Sequence, residues 1–182
     1  DRRLAGIAPD GPAAATVLMR APGLRAEWRA PGAVLVWTDL LLRVADDDEL
    51  AFVLAHEIGH ARLGHVAMSI GAGVPDPVLE RQADRWARDR IAAMGHREDA
   101  GITLLQALAT ELAGDRARAP VRDAIESRLA AMRALPPATG APGPAAPGEW
   151  VALQRARREA WAAQDPSLGE PARAALVRSR WR

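Results

Sequence analysis

Residues 49–60 read Glu49-Leu-Ala-Phe-Val-Leu-Ala-His-Glu-Ile-Gly-His60, and this stretch decides the fold. Asp46 can cap a helix here, and Glu49, three residues on, completes a capping-box pattern. Leu50, Val53 and Leu54 follow at helical spacing, so a helix is predicted from near Asp46 to about Val66. His56 and His60 are four residues apart and therefore lie on one face of it, one turn apart. Two imidazoles so placed can grip one metal ion. For the pattern His-Glu-x-x-His the usual ion is zinc, at about 2.0–2.1 Å from each nitrogen. Glu57 is offset by one residue. It cannot join both histidines as a ligand, but it can reach a water on the metal, which is the geometry of a general base. The apolar run Leu50–Leu54 would bury this face, and half-buried histidines flanking a glutamate would be costly without a metal.

An open zinc site takes three protein donors. Besides the pair, the chain offers His65, His96 and several carboxylates. His65 lies five residues past His60, and a continuing helix would turn it about 140° away. His96 follows Gly95, beyond a second predicted helix. Glu80, in Glu80-Arg-Gln-Ala-Asp84 on that second helix, is the strongest candidate. Asp84 lies one turn further along the same face, where it can accept the spare N–H of a ligating histidine. The plainer reading of both carboxylates is a solvated face paired with Arg81, Arg85 or Arg88. The histidine pair upstream favours the ligand reading.

Upstream of the motif helix, three β signals, Thr16–Arg20, Arg25–Arg29 and Ala33–Thr38, are parted by Ala21-Pro22-Gly23 and Ala30-Pro31-Gly32. They predict a small, mostly antiparallel sheet. Downstream, Gly71–Pro75 reads as a loop. A helix then fits Pro77–Met94, with Leu79, Ala83, Trp86, Ala87 and Ile91 on one stripe and Gly95 as its stop. A third helix is expected from Asp99, its cap, through Ile102, Leu105, Leu108 and Leu112. A fourth follows Pro120, with Val121, Ile125, Leu129 and Met132 on one stripe. We divide the chain into a domain over residues 1–135, a Pro/Gly/Ala linker over 136–148 and a helical extension over 149–182. Trp150, Trp161 and Trp181 of the extension suit either padding of the core or a cover over the cleft, and padding is the expectation.

The 182 residues are 49% hydrophobic and 26% charged, which excludes a wholly disordered chain. There is no cysteine, so disulfides, thiolate metal sites and a cysteine nucleophile are excluded. All 24 basic residues are arginine, against 23 acidic ones, and a net charge of +1 gives no reason to expect a nucleic-acid partner. No apolar run reaches the roughly 18 residues that a membrane span needs. The first residue is Asp1 rather than methionine, as expected of a processed or cut chain, so an upstream leader or anchor would be invisible.

The ordered set Glu49–His60, then Glu80-Arg-Gln-Ala-Asp84, resembles the gluzincin metallopeptidases, and within them the HtpX and CAAX-prenyl-protease family with its minigluzincin core. That family reads ELA-x-VLAHE-x-x-H-x-x-x-x-H and then E-x-x-A-D. Pro31-Gly32 before the strand ending Val36-Trp37, Thr38-Asp39-Leu40-Leu41, and Met94–Ala100 are similar to its Pro-Gly turn, its T-G-L-L turn and its G-Y-D-P-x-A turn. The likeness covers roughly residues 16–113. It implies that His56, His60 and Glu80 bind zinc, that Glu57 is the catalytic base and that Asp84 supports a ligand from behind. It also implies that the strand near 25–29 pairs with an extended substrate. The chain departs from the family at Arg25-Ala26-Glu27-Trp28, where N-A-F-A is usual, and in the 19 residues between His60 and Glu80. It has no tyrosine to stabilise an oxyanion, a role for which His96 or an arginine is the candidate; for His96 a helix C-terminal cap is the plainer alternative.

The expected fold is α+β and zincin-like: a small sheet, the motif helix, the glutamate helix and further packing helices. The expected function is zinc-dependent endopeptidase action on an extended polypeptide through a metal-bound water. The resemblance points to protein quality control in a bacterial envelope or periplasm. The alternatives are a non-catalytic interaction module and a protease inhibited by its own C-terminal extension.

Overall fold

The computed structural model describes residues 15–20, 25–29, 32–65 and 76–138. Three strands, β1 (Ala15–Met19), β2 (Ala26–Arg29) and β3 (Ala33–Trp37), form one sheet in the order β1-β3-β2. β3 is the most apolar and takes the centre. Its alternate residues Val34 and Val36 point into the core and are fully buried. β2 pairs with it antiparallel, Trp28 opposite Val34, whereas β1 pairs with it parallel, Thr16 opposite Val34. The sheet is therefore mixed, which corrects the mostly antiparallel expectation. The chain direction reverses twice between β1 and β3, so the two run the same way. With β2 on one side of the central strand, β1 takes the other.

Among the described residues, four longer helices and one short one follow. The short one, α1 (Thr38–Arg43), replaces the turn expected after the sheet. Fewer than two helical turns are too few for a periodic pattern to show. Leu40 anchors it in the core, and Arg43 bonds both Glu111 and the Asp39 carbonyl.

α2 (Asp47–Arg62) carries the motif. Asp46 caps it, its Oδ1 accepting from the Glu49 N–H at 2.9 Å. Glu49 departs from the expected box: Oε2 accepts from the Ala45 N–H, one residue before the cap, at 2.7 Å, and Oε1 accepts from the Thr103 hydroxyl at 3.0 Å. The side chain thus ties the helix start to α4. α2 ends at Arg62, short of the expected Val66. Gly64 then adopts φ +77°, a left-handed conformation that suits glycine.

α3 (Pro77–Ala93) begins at Asp76, whose side chain accepts from the Val78 N–H at 2.7 Å, with Pro77 in the first turn. Gly95, at φ +86°, ends it as expected. α4 (Ala100–Leu112) starts after Asp99, but Asp99 makes no cap bond; its carboxylate is taken by Arg97 at 3.1 Å. α5 (Ala119–Arg133) buries Ile125, Leu129 and Met132. Val121 remains 53% exposed, because the first turn of α5 overhangs the core that its stripe was expected to join.

One hydrophobic cluster runs from Val34 and Val36 through Phe52, Leu54 and Ile58 to Ile91, Leu104, Leu108, Leu129 and Met132. α2 is its axis. Gly59 lets α3 cross α2 closely: a Cβ there would stand 3.1 Å from the Trp86 ring and 3.5 Å from the Ala83 carbonyl oxygen. Ala83 and Ala87 of α3 are fully buried on the same side, so small residues set the separation of the two helices. After α5, the Pro136 carbonyl accepts from the buried Arg88 at 2.8 Å and the Ala138 N–H donates to Glu98 at 2.6 Å. The Gly71–Pro75 loop, the linker beyond Ala138 and the extension over 149–182 lie outside the described residues. Among those described, no helix is long and apolar enough to cross a membrane.

Candidate active site

The close crossing of α2 and α3 brings three side chains to one point. The Nε2 atoms of His56 and His60 are 3.0 Å apart. Glu80 sets Oε2 at 3.4 Å from the first and Oε1 at 3.2 Å from the second. Donors held at about 2.0–2.1 Å from one tetrahedral ion would be about 3.3 Å apart, and these spacings lie close to that, with Glu80 facing the two imidazoles through its two different oxygens. His56, His60 and Glu80 are also a group that can hold a metal by mutual distance alone, with His56 buried and the other two half-buried. Two imidazoles and one carboxylate make a donor set suited to zinc.

Each imidazole is held from behind. Asp84 Oδ1 lies 2.9 Å from His56 Nδ1, so it accepts that N–H and leaves the Nε2 lone pair facing the cluster. Burial and the Arg128 charge pull His56 down, but hydrogen bonding to Asp84 and Glu80 outweighs them and lifts it to about 9. A metal entering the site must displace that proton. Asp84 is 1% exposed. Burial alone would raise its carboxyl, but Arg128 and His56 hold it at about 2.

Arg128 is the residue that the sequence did not single out. It comes from α5, and its Nε and Nη2 donate to the two Asp84 oxygens at 2.8 and 2.6 Å. Its Nη1 reaches Glu80 Oε2 at 3.0 Å. It carries the charge that lets two carboxylates stay ionised while buried. Its own pKa moves upward, burial opposing and the Asp84 charge prevailing. Burial likewise opposes ionisation of Glu80, but hydrogen bonding to His56 and His60 holds it well below the ordinary carboxylate range. Nothing local in the sequence marks Arg128 out among 24 arginines; only its place against Asp84 in space does.

Glu57 stands beside the donor cluster on α2, and its Oε2 accepts from the Trp28 backbone N–H of β2 at 3.0 Å. Burial raises its pKa against the pull of the two histidines. β2 is the edge strand of the sheet on this side, so the motif helix and a sheet edge meet at one carboxylate.

Two histidines are placed differently from the sequence expectation. His65 does not point away. The helix breaks at Gly64, and His65 turns back so that its Nδ1 lies 3.1 Å from His60 Nδ1. It sits outside the donor cluster but in contact with a donor. His96, weighed as an oxyanion stabiliser or a helix cap, is bonded through Nδ1 to Asp48 Oδ1 at 2.7 Å. Asp48 is in the first turn of α2, two turns before His56, so the structure does not bring His96 to the cluster.

Residues 26–113 match the family model described as peptidase family M48. Over this segment the chain is similar to peptidase family M48. Family M48 proteins are metal-dependent proteases, hydrolases of polypeptide substrates. The M48 segment runs from β2 to the end of α4 and contains His56, Glu57, His60, His65, Glu80 and Asp84. Arg128 lies beyond it. A comparison with curated proteins finds no match.

Proposed function

We propose that the protein is a zinc-dependent endopeptidase in which His56, His60 and Glu80 hold the metal and Glu57 is the general base. The observation that carries this is the convergence of three donors at tetrahedral spacing beside a buried glutamate, on a segment of a metalloprotease family. Zinc, when bound, supplies Lewis-acid chemistry that polarises a scissile carbonyl and acidifies a water. The rest falls to this chain's own groups. Burial raises Glu57, so its carboxylate takes a proton from the attacking water readily and delivers it to the leaving amine. Asp84 keeps the His56 proton on Nδ1, and Arg128 balances Asp84 and Glu80. β2 is an edge strand, and an extended polypeptide would add its main chain there as a further strand, beside the Trp28 N–H that Glu57 holds.

Replacing Glu57 by Gln tests the assignment. The amide keeps the size and is not a ligand, so the variant should retain one equivalent of metal by elemental analysis and lose casein or peptide hydrolysis. Undiminished hydrolysis by Glu57→Gln would overturn the mechanism. The family likeness also directs this proposal to protein quality control in the bacterial envelope. Recovery of the native protein only from the soluble cytosolic fraction of its source cells would sink that placement.

A further inference from the structure

We infer that His65 and Gln82 are positioning residues that hold His60 in its ligating tautomer through a relay of fixed polarity. His60 Nδ1–H donates to His65 Nδ1, and His65 Nε2–H donates to the Gln82 side-chain oxygen. The inference rests on reading His60 as a ligand. Both contacts are 3.1 Å. A neutral imidazole carries one N–H and one lone pair, so two imidazoles meeting through Nδ1 need one donor and one acceptor. His60 directs Nε2 at the donor cluster, so its proton must sit on Nδ1. His65 must then accept at Nδ1 and carry its own proton on Nε2, where an oxygen of Gln82 waits. The opposite polarity would put the His60 proton on Nε2 and block the lone pair that a metal needs.

Several features built into the fold serve this contact. Gly64, in its left-handed conformation, ends α2 and returns the chain so that a residue at i+5 reaches the back of His60. The two rings meet edge to face with centroids 5.1 Å apart. His65 is only 2% exposed. Gln82 comes from α3 between Glu80 and Asp84, so the same helix that supplies a ligand also sets the relay.

Charge explains why the two imidazoles are supported differently. Asp84, Glu80 and Glu57 bring three negative charges, and Arg128 with a divalent ion brings three positive ones. A second carboxylate behind His60 would leave a buried charge unbalanced. A neutral imidazole and an amide orient the ring without adding one.

The test measures zinc affinity by competition with a chromogenic chelator, beside tautomer-resolving long-range ¹⁵N–¹H spectra of the unaltered, zinc-loaded protein. Gln82→Met keeps the side chain's length and removes its oxygen; His65→Phe keeps a ring and removes both nitrogens. Both should weaken zinc binding by about 10–100-fold. The spectra should show His65 protonated on Nε2 and His60 on Nδ1. Gln82→Met binding zinc as tightly as the unaltered protein would overturn the relay while leaving the ligand set intact. A His65 proton found on Nδ1 would overturn its polarity without any variant having to fold. An unaltered protein that binds no zinc would instead remove the ligand reading on which the relay stands.

Discussion

Asp84 shows how one buried side chain couples the site to stability. Its carboxyl is held at about 2 by Arg128 and His56, against an ordinary value of 3.8. A group whose folded pKa is depressed contributes stability above its unfolded value and loses it as pH falls through the folded one. The metal-free protein should therefore lose on the order of 2 kcal/mol from this residue alone between about pH 4 and pH 2. Denaturation measured across that window should show a shallower acid loss in Asp84→Asn. Removing the Arg128 charge, as in Arg128→Leu, raises the folded value towards 3.8, so the acid loss should shrink and finish at higher pH. Equal acid slopes in all three proteins would mean that the ion pair does not form. The candidates His56, Glu57, His60, Glu80 and Asp84 could be picked from the sequence, because each sits in a pattern of fixed helical spacing. Arg128 and the contact made by His65 were not. One depends on the docking of a distant helix, the other on a single glycine that stops a helix about four residues early.

Helices of this protein meet through residues too small to have been read as contacts. Gly101 in α4 is the sharpest case. A Cβ there would overlap the Phe52 ring of α2 and stand 2.8 Å from the Met132 terminal methyl of α5. Three helices thus share one glycine. Gly101→Ala improves helix propensity by up to about 1 kcal/mol, but forcing a methyl into a filled core costs about 1–3 kcal/mol. Overpacking should win, and thermal melting should place the variant below the unaltered protein. An unchanged or raised melting temperature would show that Phe52 moves aside freely. The same logic governs the site. Gly59 lets α3 approach α2, and without that approach Glu80 would stand too far from His56 and His60 to share an ion with them. Strands show the complementary lesson. Their positions could be read from β-branched runs bounded by Pro-Gly, but their order could not, because a pattern along one strand carries no record of which neighbour it pairs with.

For the whole molecule, α5 is the element to remove. It lies beyond the M48 segment, yet it buries Ile125, Leu129 and Met132 and supplies Arg128. Large side chains of this kind are worth about 1.5–3 kcal/mol each when fully buried, and a domain of this size has about 5–15 kcal/mol in all. A chain ending at Gly114 should therefore melt far below the full-length protein by circular dichroism and lose zinc affinity as Glu80 and Asp84 lose their cation. A truncated chain that melts and binds zinc like the full one would show that residues 26–113 suffice. By itself, the sequence determined the α+β class, the limits of the four main helices to within a few residues and the identity of the metal-site candidates. It could do so because helix period, caps and ligand spacing are local properties, written within one or two turns of chain. Tertiary structure alone decided the mixed sheet order, the closeness of α2 to α3, the return of His65 onto His60 and the seat of Arg128 on Asp84. Each of these joins residues that no local pattern connects, and each was settled by which packing fills the core while leaving every buried charge a partner.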